Sequence, residues 1–392
     1  MNVNHELVDA GSVSALISSL RPETKRLSFM ESAKMDKPTM LALFAALATC
    51  QWIAELCFHK TAIGNDDDKA RALSEMLARL PNLRTLMLLG NQLETRLDWV
   101  LGSCFHLTSL SICDNTITPD ALDVLLVNVP FSHLQHLQLF RNQIETEGSV
   151  QLALALPTFT SLREFEFSGN FLGKQGAYAF AQSLPQCAWL ETFQVNNDQL
   201  GGDPFQQFML HHSFSKLTGR LGLGTNQLMS NCGGALSRML CTSSLTELDV
   251  SHNHLGDVGV QVLCKALPKC QLRVLIVSSN RLTSPGISSL AKSMQRSKLV
   301  ALDVSFNEFG NVGGQSLLRA IKSPTCRVSQ LRHHCNRLSS NLASALDLAL
   351  EGENRKRILI IMRSAQQISR LGKHSFANAF PKDLCRMLQA ML

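Results

Sequence analysis

The stretch LTELDVSHNHL, residues 245–255, contains a pattern that returns along most of the 392-residue chain. Its form is L-x-x-L-x-L-x-x-N-x-L. The alternation of apolar and polar residues in L-x-L predicts a short β-strand that buries one face. The asparagine that follows can both donate and accept hydrogen bonds, so it predicts a turn in which otherwise unpaired main-chain groups are satisfied.

The same frame recurs at spacings of 24 to 29 residues, a regularity that indicates stacked structural repeats. Asp198 holds one anchor position, and an ionised carboxylate cannot donate as an amide does. We therefore expect its coil to be the weakest, unless Asn196 or Asn197 substitutes for it. The other anchors form a predicted ladder of buried amides: Asn91, Asn115, Asn142, Asn170, Asn226, Asn253, Asn280, Asn307 and Asn336.

A second pattern, with helical period, follows each anchor. Apolar or small residues occur 7, 10, 11 and 14 positions later, as at Val260, Leu263, Cys264 and Leu267. This is the buried stripe of an amphipathic helix. Glycine often stands six positions after the anchor and is expected at the turn that enters the helix. Each repeat is therefore predicted to contain a strand, a turn, a helix and a second turn.

These repeats resemble leucine-rich repeats, and N-x-L-G-D-x-G at residues 253–259 resembles the ribonuclease-inhibitor-like subfamily. The resemblance covers about residues 21–345. It implies an α/β solenoid shaped like a horseshoe, with a parallel β-sheet on the concave face and α-helices on the convex face. About 12 repeats are expected. Members of that subfamily share protein binding, so the resemblance implies an interaction scaffold.

A single elongated domain can contain the whole chain, because each coil of a solenoid contacts only its neighbours. We expect an N-terminal capping helix at residues 1–20, the solenoid at 21–350 and a basic capping segment at 351–392. The first two repeats are degenerate, with strands near Phe29 and Phe58 and with Ser32 and Thr61 at the anchor positions. From Ala320 onward there are 12 Lys/Arg against 4 Asp/Glu, so we assign the net charge of +6 to the carboxyl end.

Motifs for acyl transfer, zinc hydrolysis and P-loop chemistry are missing, so no enzymatic activity, cofactor or metal is expected. The twelve cysteines form no C-x-x-C pair, which favours buried thiols in a reducing compartment. The amino terminus lacks the features of a signal peptide. The apolar run at residues 40–50 is too short to span a bilayer. The cytoplasm, or alternatively the nucleus, is the expected location.

The outward strand residues line the predicted concave face, where a partner protein would bind. Apolar residues are exposed near its amino end, acidic residues occupy the middle, and a basic residue closes the carboxyl end. This distribution predicts a partner with a basic surface. The candidate contact residues are Met87, Leu89, Phe140, Arg141, Glu164, Glu166, Glu191, Asp249, Asp303, Phe306 and Arg332.

Two alternative functions remain open at this stage. A regulator of a small GTPase, resembling the Ran GTPase activators, would use Arg141 at the edge of the arc. A ubiquitin-ligase adaptor would use residues 380–392, which look like the opening helix of an F-box. A binder of nucleic acid or of an acidic membrane would use Arg355, Lys356, Arg357 and Arg363, with steep salt dependence. This is not the expected function, because aromatic residues for base stacking are scarce beside the basic tail. The chain is expected to be a monomer apart from its partner.

Overall fold

A computed structural model of the chain describes residues 2–4, 10–30, 35–102, 104, 106–128, 131–209, 214 and 216–353. The described strands form a single parallel sheet of 13 strands, and each strand pairs with the one before and the one after it in sequence. The strands are β1 (Asn2–Asn4), β2 (Arg26–Met30), β3 (Glu55–His59), β4 (Thr85–Leu89), β5 (Ser109–Ser111), β6 (His136–Gln138), β7 (Glu164–Glu166), β8 (Thr192–Gln194), β9 (Arg220–Gly222), β10 (Glu247–Asp249), β11 (Val274–Ile276), β12 (Ala301–Asp303) and β13 (Gln330–Arg332).

A helix connects each strand to the next, because parallel strands require a crossover. The helices are α1 (Ala10–Ser19), α2 (Lys37–Leu47), α3 (Asp67–Ala78), α4 (Leu97–Leu101), α5 (Pro119–Asn128), α6 (Glu145–Ala155), α7 (Gly173–Ser183), α8 (Asp203–Phe208), α9 (Gly233–Thr242), α10 (Gly256–Cys264), α11 (Ser284–Met294) and α12 (Gly310–Ile321). Residues 340–353 are also helical. Single 3-10 turns lie at Ile63–Asn65, Glu94–Arg96, Phe131–His133, Leu156–Thr158, Leu184–Gln186 and Ser230–Cys232.

This architecture confirms the α/β leucine-rich-repeat solenoid, with the sheet on the concave face and the helices on the convex face. The two degenerate repeats supply β2 and β3, and their Phe29 and Phe58 rings stack at 5.2 Å between centroids. A strand, β1, also pairs with β2 ahead of the first helix. The expected basic capping segment falls outside the described residues from position 354 onward.

The core lies between the sheet and the helices and runs the length of the solenoid. The inward strand residues are almost fully buried; Leu248 and Val250 are 0% exposed. In the middle coils phenylalanines replace leucines, and Phe165 stacks on Phe193 at 5.4 Å while Phe180 packs against both. Stacked rings bury more area per residue than leucine does, so these coils are held by large aromatic contacts.

The anchor side chains, nine asparagines and Asp198, hydrogen-bond to the turns of neighbouring coils and form a ladder along the solenoid. In a typical step, the Asn142 Oδ1 accepts the main-chain N–H of Asn115 at 2.9 Å. Its Nδ2 donates to the carbonyl oxygens of Ile112 and Leu139 at 2.8 and 2.9 Å. Each amide thereby ties its own turn to the preceding coil. Because these groups are buried, removal of one amide would leave several main-chain partners unpaired.

Asp198 occupies its anchor position directly, and neither neighbouring asparagine replaces it. Its two carboxylate oxygens accept the main-chain N–H groups of Asn170 and Gly169 at 2.8 and 3.1 Å. The Asn196 side chain instead accepts from the Gly224 N–H at 2.7 Å. Burial raises the pKa of Asp198 to about 7, although the hydrogen bonds from the backbone oppose the shift.

The glycines six positions after the anchors lie inside the first turn of each helix rather than at the turn before it. A Cβ atom on Gly176 would stand 2.7 Å from the Ser149 Cβ of the preceding helix. On Gly286 it would stand 2.3 Å from the Asp257 carboxylate. These positions need glycine because neighbouring helices approach closely, a requirement that the periodicity did not reveal.

Candidate partner-binding site on the concave face

The outward side chains of the sheet are arranged in rows, because equivalent residues of successive coils are paired in register. Glu247 on β10 pairs with Arg220 on one side and Val274 on the other. Neighbouring strands lie about 4.8 Å apart, so residues in one row contact each other. All the predicted contact residues lie on this face or at its edge, but they do not form one cluster.

Apolar side chains form a patch at the amino end of the concave face. Met87 and Leu89 project from β4, and both are only partly buried. Met87 pairs with Cys57 on β3 and with Ser111 on β5. Phe140 lies two residues after β6, in the same row as Leu89. We call Met87, Leu89 and Phe140 the apolar patch.

Arg141 lies beside this patch, held by two interactions. Its backbone adopts a left-handed conformation with φ of 56°, which turns the chain after the strand and directs the side chain to the edge of the sheet. Its Nε lies 3.0 Å from the Asp114 carboxylate, and its guanidinium lies 5.8 Å from the Phe140 ring centroid. An exposed arginine fixed beside an apolar surface is typical of interface anchors.

Most acidic residues in the middle of the face are paired within the chain. The Glu191 carboxylate bonds to the Arg163 guanidinium of the preceding coil. The Glu164 carboxylate lies 3.1 Å from the His136 ring. The Glu166 carboxylate accepts from the Gln138 amide at 3.2 Å, and burial raises its pKa. Of these three carboxylates, only Glu191 pairs with a permanent cation, because Gln138 is neutral and His136 is charged only when protonated.

Toward the carboxyl end, Arg220 pairs with two further acidic residues. Its guanidinium contacts the Glu247 carboxylate at 3.1 Å and the Asp249 carboxylate at 2.9 Å. Two strands further, Asp303 lies 3.8 Å from Arg332. These charges surround a shallow depression of about 270 Å³ with an apolar floor, lined by Arg220, Glu247, Val274, Ile276, Ala301, Leu302, Asp303, Gln330 and Arg332.

Phe306 lies three residues after β12, the strand that contributes Ala301, Leu302 and Asp303 to this depression. Its left-handed backbone, with φ of 55°, presents the ring to solvent, and 54% of the residue is exposed. The ring packs edge-on against His334 of the next coil, with 5.0 Å between centroids. Phe306 was predicted from the sequence, whereas Arg163 and Arg220 were not, because their roles depend on acidic partners one coil away.

The acidic turn that precedes α3 is structural. The Asp66 side chain caps that helix by accepting the main-chain N–H groups of Asp68 and Lys69 at 2.9 and 3.2 Å. Lys37 pairs with Asp66 at 2.9 Å, and this contact lowers the pKa of the Asp66 carboxyl. Over the described residues, no group of three or more His, Cys, Asp or Glu side chains is arranged to hold a metal ion.

The described cysteines are free thiols. Burial raises the pKa of the Cys104 and Cys264 thiols to about 12 and that of Cys187 to about 11. Such thiols stay protonated near neutral pH and are poor nucleophiles. Within the part of the chain that the structure describes, no helix is both long and apolar enough to cross a lipid bilayer.

Comparison with known proteins supports the class that the fold defines. Residues 132–153, 243–264, 269–291 and 296–318 match the family described as "Leucine Rich repeat". A segment of 55 residues is 47% identical to the human NACHT, LRR and PYD domains-containing protein 3. That match covers 13% of this chain and 5% of the human protein.

Three solved structures share the architecture at low sequence identity. The yeast Rad7 and Elc1 complex gives a TM-score of 0.55 at 18% identity, covering 85% of this chain and 84% of the matched one. LegL7 from Legionella pneumophila gives 0.52 at 17%, covering 75% and 97%. An internalin from Listeria monocytogenes gives 0.50 at 15%, covering 86% and 92%. These likenesses concern the fold alone, and the chain has the fold of a leucine-rich-repeat solenoid.

Proposed function

We propose that this protein is a non-catalytic scaffold or adaptor that binds a partner protein on its concave face. The fold of leucine-rich repeats supports such a role. The single observation that carries the proposal is the apolar patch with Arg141 fixed beside it by Asp114. Exposed methionine, leucine and phenylalanine next to an arginine provide apolar area and charge-assisted hydrogen bonds together.

The partner is proposed to contact the face at two places. At the amino end it would place apolar side chains on Met87, Leu89 and Phe140. Toward the carboxyl end it would meet Asp303 and the depression beside it. Arg163 pairs with Glu191, and Arg220 is shared by Glu247 and Asp249, so a basic partner gains less from these three carboxylates than the sequence alone predicted. A partner with a modest basic surface still fits the exposed Glu164.

Affinity capture with the full chain as bait tests this proposal. Phe140→Asp combined with Leu89→Asp should abolish capture of the partners that the wild-type chain retains, because buried carboxylates would lack partners in the interface. Phe171→Asp is the matched control, since Phe171 is 52% exposed and follows an anchor rather than lying on a strand. Equal capture by the double variant and the wild type would refute concave-face binding.

We further propose the ribonuclease-inhibitor-like subtype, a reducing compartment such as the cytoplasm or the nucleus, and a monomer apart from the partner. The free thiols and the helix in almost every repeat support the first two assignments. Sedimentation equilibrium of the purified chain would test the third.

The two alternatives have less support. For a GTPase regulator, Arg141 is the candidate residue, and its Nε is already engaged by the Asp114 carboxylate. The F-box-like helix at residues 380–392 lies outside the described residues; one structural neighbour, Rad7, was solved in complex with Elc1. A GTP-hydrolysis assay and a truncation before Gly352 would test these alternatives separately.

A further inference from the structure

Charge is strongly polarised along the solenoid. Residues 1–257 contain 17 Lys/Arg and 25 Asp/Glu, whereas residues 258–392 contain 20 Lys/Arg and 6 Asp/Glu. The basic excess therefore begins well before Ala320, where the composition first suggested it. Much of it lies within described coils, on the helical side of the solenoid.

Four cations occupy the same position on four consecutive coils. Arg238, Lys265, Lys292 and Arg319 each follow the anchor of their coil by 12 residues, and all four are exposed. Adjacent helices pack 8–10 Å apart, so these side chains form a row about 30 Å long across α9 to α12. We call it the basic row. The equivalent positions of α5, α6 and α7 hold uncharged residues: Val127, Leu154 and Gln182.

Further cations widen the row toward the ends of the helices. Lys269 and Arg296 share a position four residues further along, and both are exposed. Between α10 and α11, an open groove of about 500 Å³ is lined by Gln261, Cys264, Lys265, Pro268, Ser289, Lys292, Ser293, Gln295 and Arg296. This lining combines cations with neutral hydrogen-bonding groups and includes no carboxylate.

The surrounding helices leave this positive charge uncompensated. Helices α9, α11 and α12 contain no Asp or Glu. Asp257 on α10 is committed to the adjacent coil, because its carboxylate accepts the main-chain N–H groups of Thr283 and Gly286 at 2.8 and 3.0 Å. Among the described residues, the four cations of the basic row have no ion-pair partner.

Stabilisation of helix ends does not account for the basic row. Cations near a helix carboxyl terminus interact favourably with the helix dipole. However, α2, α3, α6 and α7 have no basic residue in the last turn, and they form in the same architecture. The accumulation on four consecutive coils is thus a local property of this surface.

Apolar residues share the same helix faces. Val258 and Val312 precede Lys265 and Arg319 by seven residues, two helical turns, so each valine lies above its cation on one face. They are 63% and 68% exposed. Earlier coils place charged or polar residues such as Asp120 and Glu147 at this position. The outer face of α9 to α12 therefore combines exposed methyl groups with a row of cations.

We propose that the outer face of α9 to α12 docks on an anionic phospholipid surface. The basic row would meet the headgroups, while Val258 and Val312 would contact the boundary with the acyl chains. A single strand of nucleic acid fits less well, because these four helices contain no aromatic residue on which bases could stack. Docking through the helices leaves the concave sheet open, so it is compatible with partner binding and independent of it.

Vesicle co-sedimentation with the full chain tests the proposal. Vesicles of equal parts phosphatidylserine and phosphatidylcholine should bind the wild type, and vesicles of phosphatidylcholine alone should not. The triple variant Lys265→Glu, Lys292→Glu, Arg319→Glu should lower the partition coefficient roughly 100-fold, given the contribution of each cation near an anionic surface. Binding should also weaken steeply as salt is added.

A matched variant separates local from global charge effects. Lys25→Glu, Arg79→Glu and Lys216→Glu change the net charge by the same amount at exposed positions of earlier coils. This control should retain vesicle binding to within a few-fold, and circular dichroism should show that both triple variants are folded. Equal losses in the two variants, wild-type binding to neutral vesicles, or binding to duplex DNA without binding to anionic vesicles would overturn the proposal.

Discussion

Replacement of Asp198 by asparagine should stabilise the protein, and the gain should depend on pH. Asp198 is fully buried, and it is the one acidic residue in a ladder otherwise built from amides. An asparagine there would still accept from the Asn170 N–H, and the Gly169 N–H would keep its bond to the Asn196 carbonyl at 2.8 Å. The new amide could also donate to carbonyl oxygens, as Asn226 donates to the Val195 carbonyl at 2.6 Å. The substitution thus removes a buried charge without removing the turn.

The expected gain in stability follows from the shift in the pKa of the Asp198 carboxyl group. Burial raises the pKa of Asp198 from 3.8 to about 7 in the folded chain. A shift of that size corresponds to about 4 kcal/mol between the two protonation states. Because the folded pKa is the higher one, the wild type is most stable below about pH 4 with respect to this group. The stabilisation that the protonated Asp198 provides is lost as pH rises through about 7.

The pH dependence can be followed at the two amides that donate to the carboxylate. Hydrogen exchange at the Asn170 and Gly169 N–H groups should be slower in Asp198→Asn than in the wild type at pH 8, with a smaller difference at pH 5 after correction for intrinsic exchange. Asp123→Asn on the exposed face of α5 should leave both unchanged. The reverse change, Asn253→Asp, should destabilise its coil increasingly at high pH. A gain for Asp198→Asn that was equal at both pH values would refute this account.

Three further outcomes follow from buried groups elsewhere. Asn280→Ala should lower the free energy of unfolding by about 2 kcal/mol in urea denaturation, because the Leu255 N–H loses its acceptor and the Val250 and Ser278 carbonyls each lose one of two donors. In the same assay, Gly176→Val should lower the free energy of unfolding by about 1–3 kcal/mol, because it forces α6 and α7 apart. Gly234→Ala is the control, since its added Cβ would meet nothing closer than 3.7 Å and should not lower the stability. Equal losses in the two variants would contradict the close approach of the helices as the cause. Iodoacetamide should label the exposed Cys241 in the native protein but reach the buried Cys264 only on unfolding, as mass spectrometry of labelled peptides would show. Rapid native labelling of Cys264 would indicate that its helix opens.

The repeat frame was visible in sequence because leucine-rich coils are specified locally. The residues of L-x-L decide which side of each strand is buried, and the following asparagine satisfies the turn. Leu248 and Asn253 therefore have the predicted burial, 0% and 1% exposed. The first degenerate anchor, Ser32, lies outside the described residues, while Thr61 receives its expected place by donating to the Asn91 Oδ1 at 2.6 Å.

The pairing of charges between coils could not be predicted from single repeats. The apparent acidic surface was inferred from individual residues, whereas the partners of Glu191 and Asp249 lie 28 or 29 positions away in sequence. Superposition of the coils on a common anchor would have brought Arg163 beside Glu191 and placed the four cations of the basic row together. The sequence therefore contains the information about these charges, but it is seen only when equivalent positions of different repeats are compared.

The sequence by itself determined the period, the strand and helix of nearly every coil, and the ladder of buried amides, because each depends on residues close together in the chain. Stacking of the coils decided which charges neutralise one another, which helix positions need glycine, and where unpaired cations accumulate. Those properties arise from side chains about one repeat apart, brought within a few ångströms by a parallel sheet. For that reason they belong to the tertiary structure.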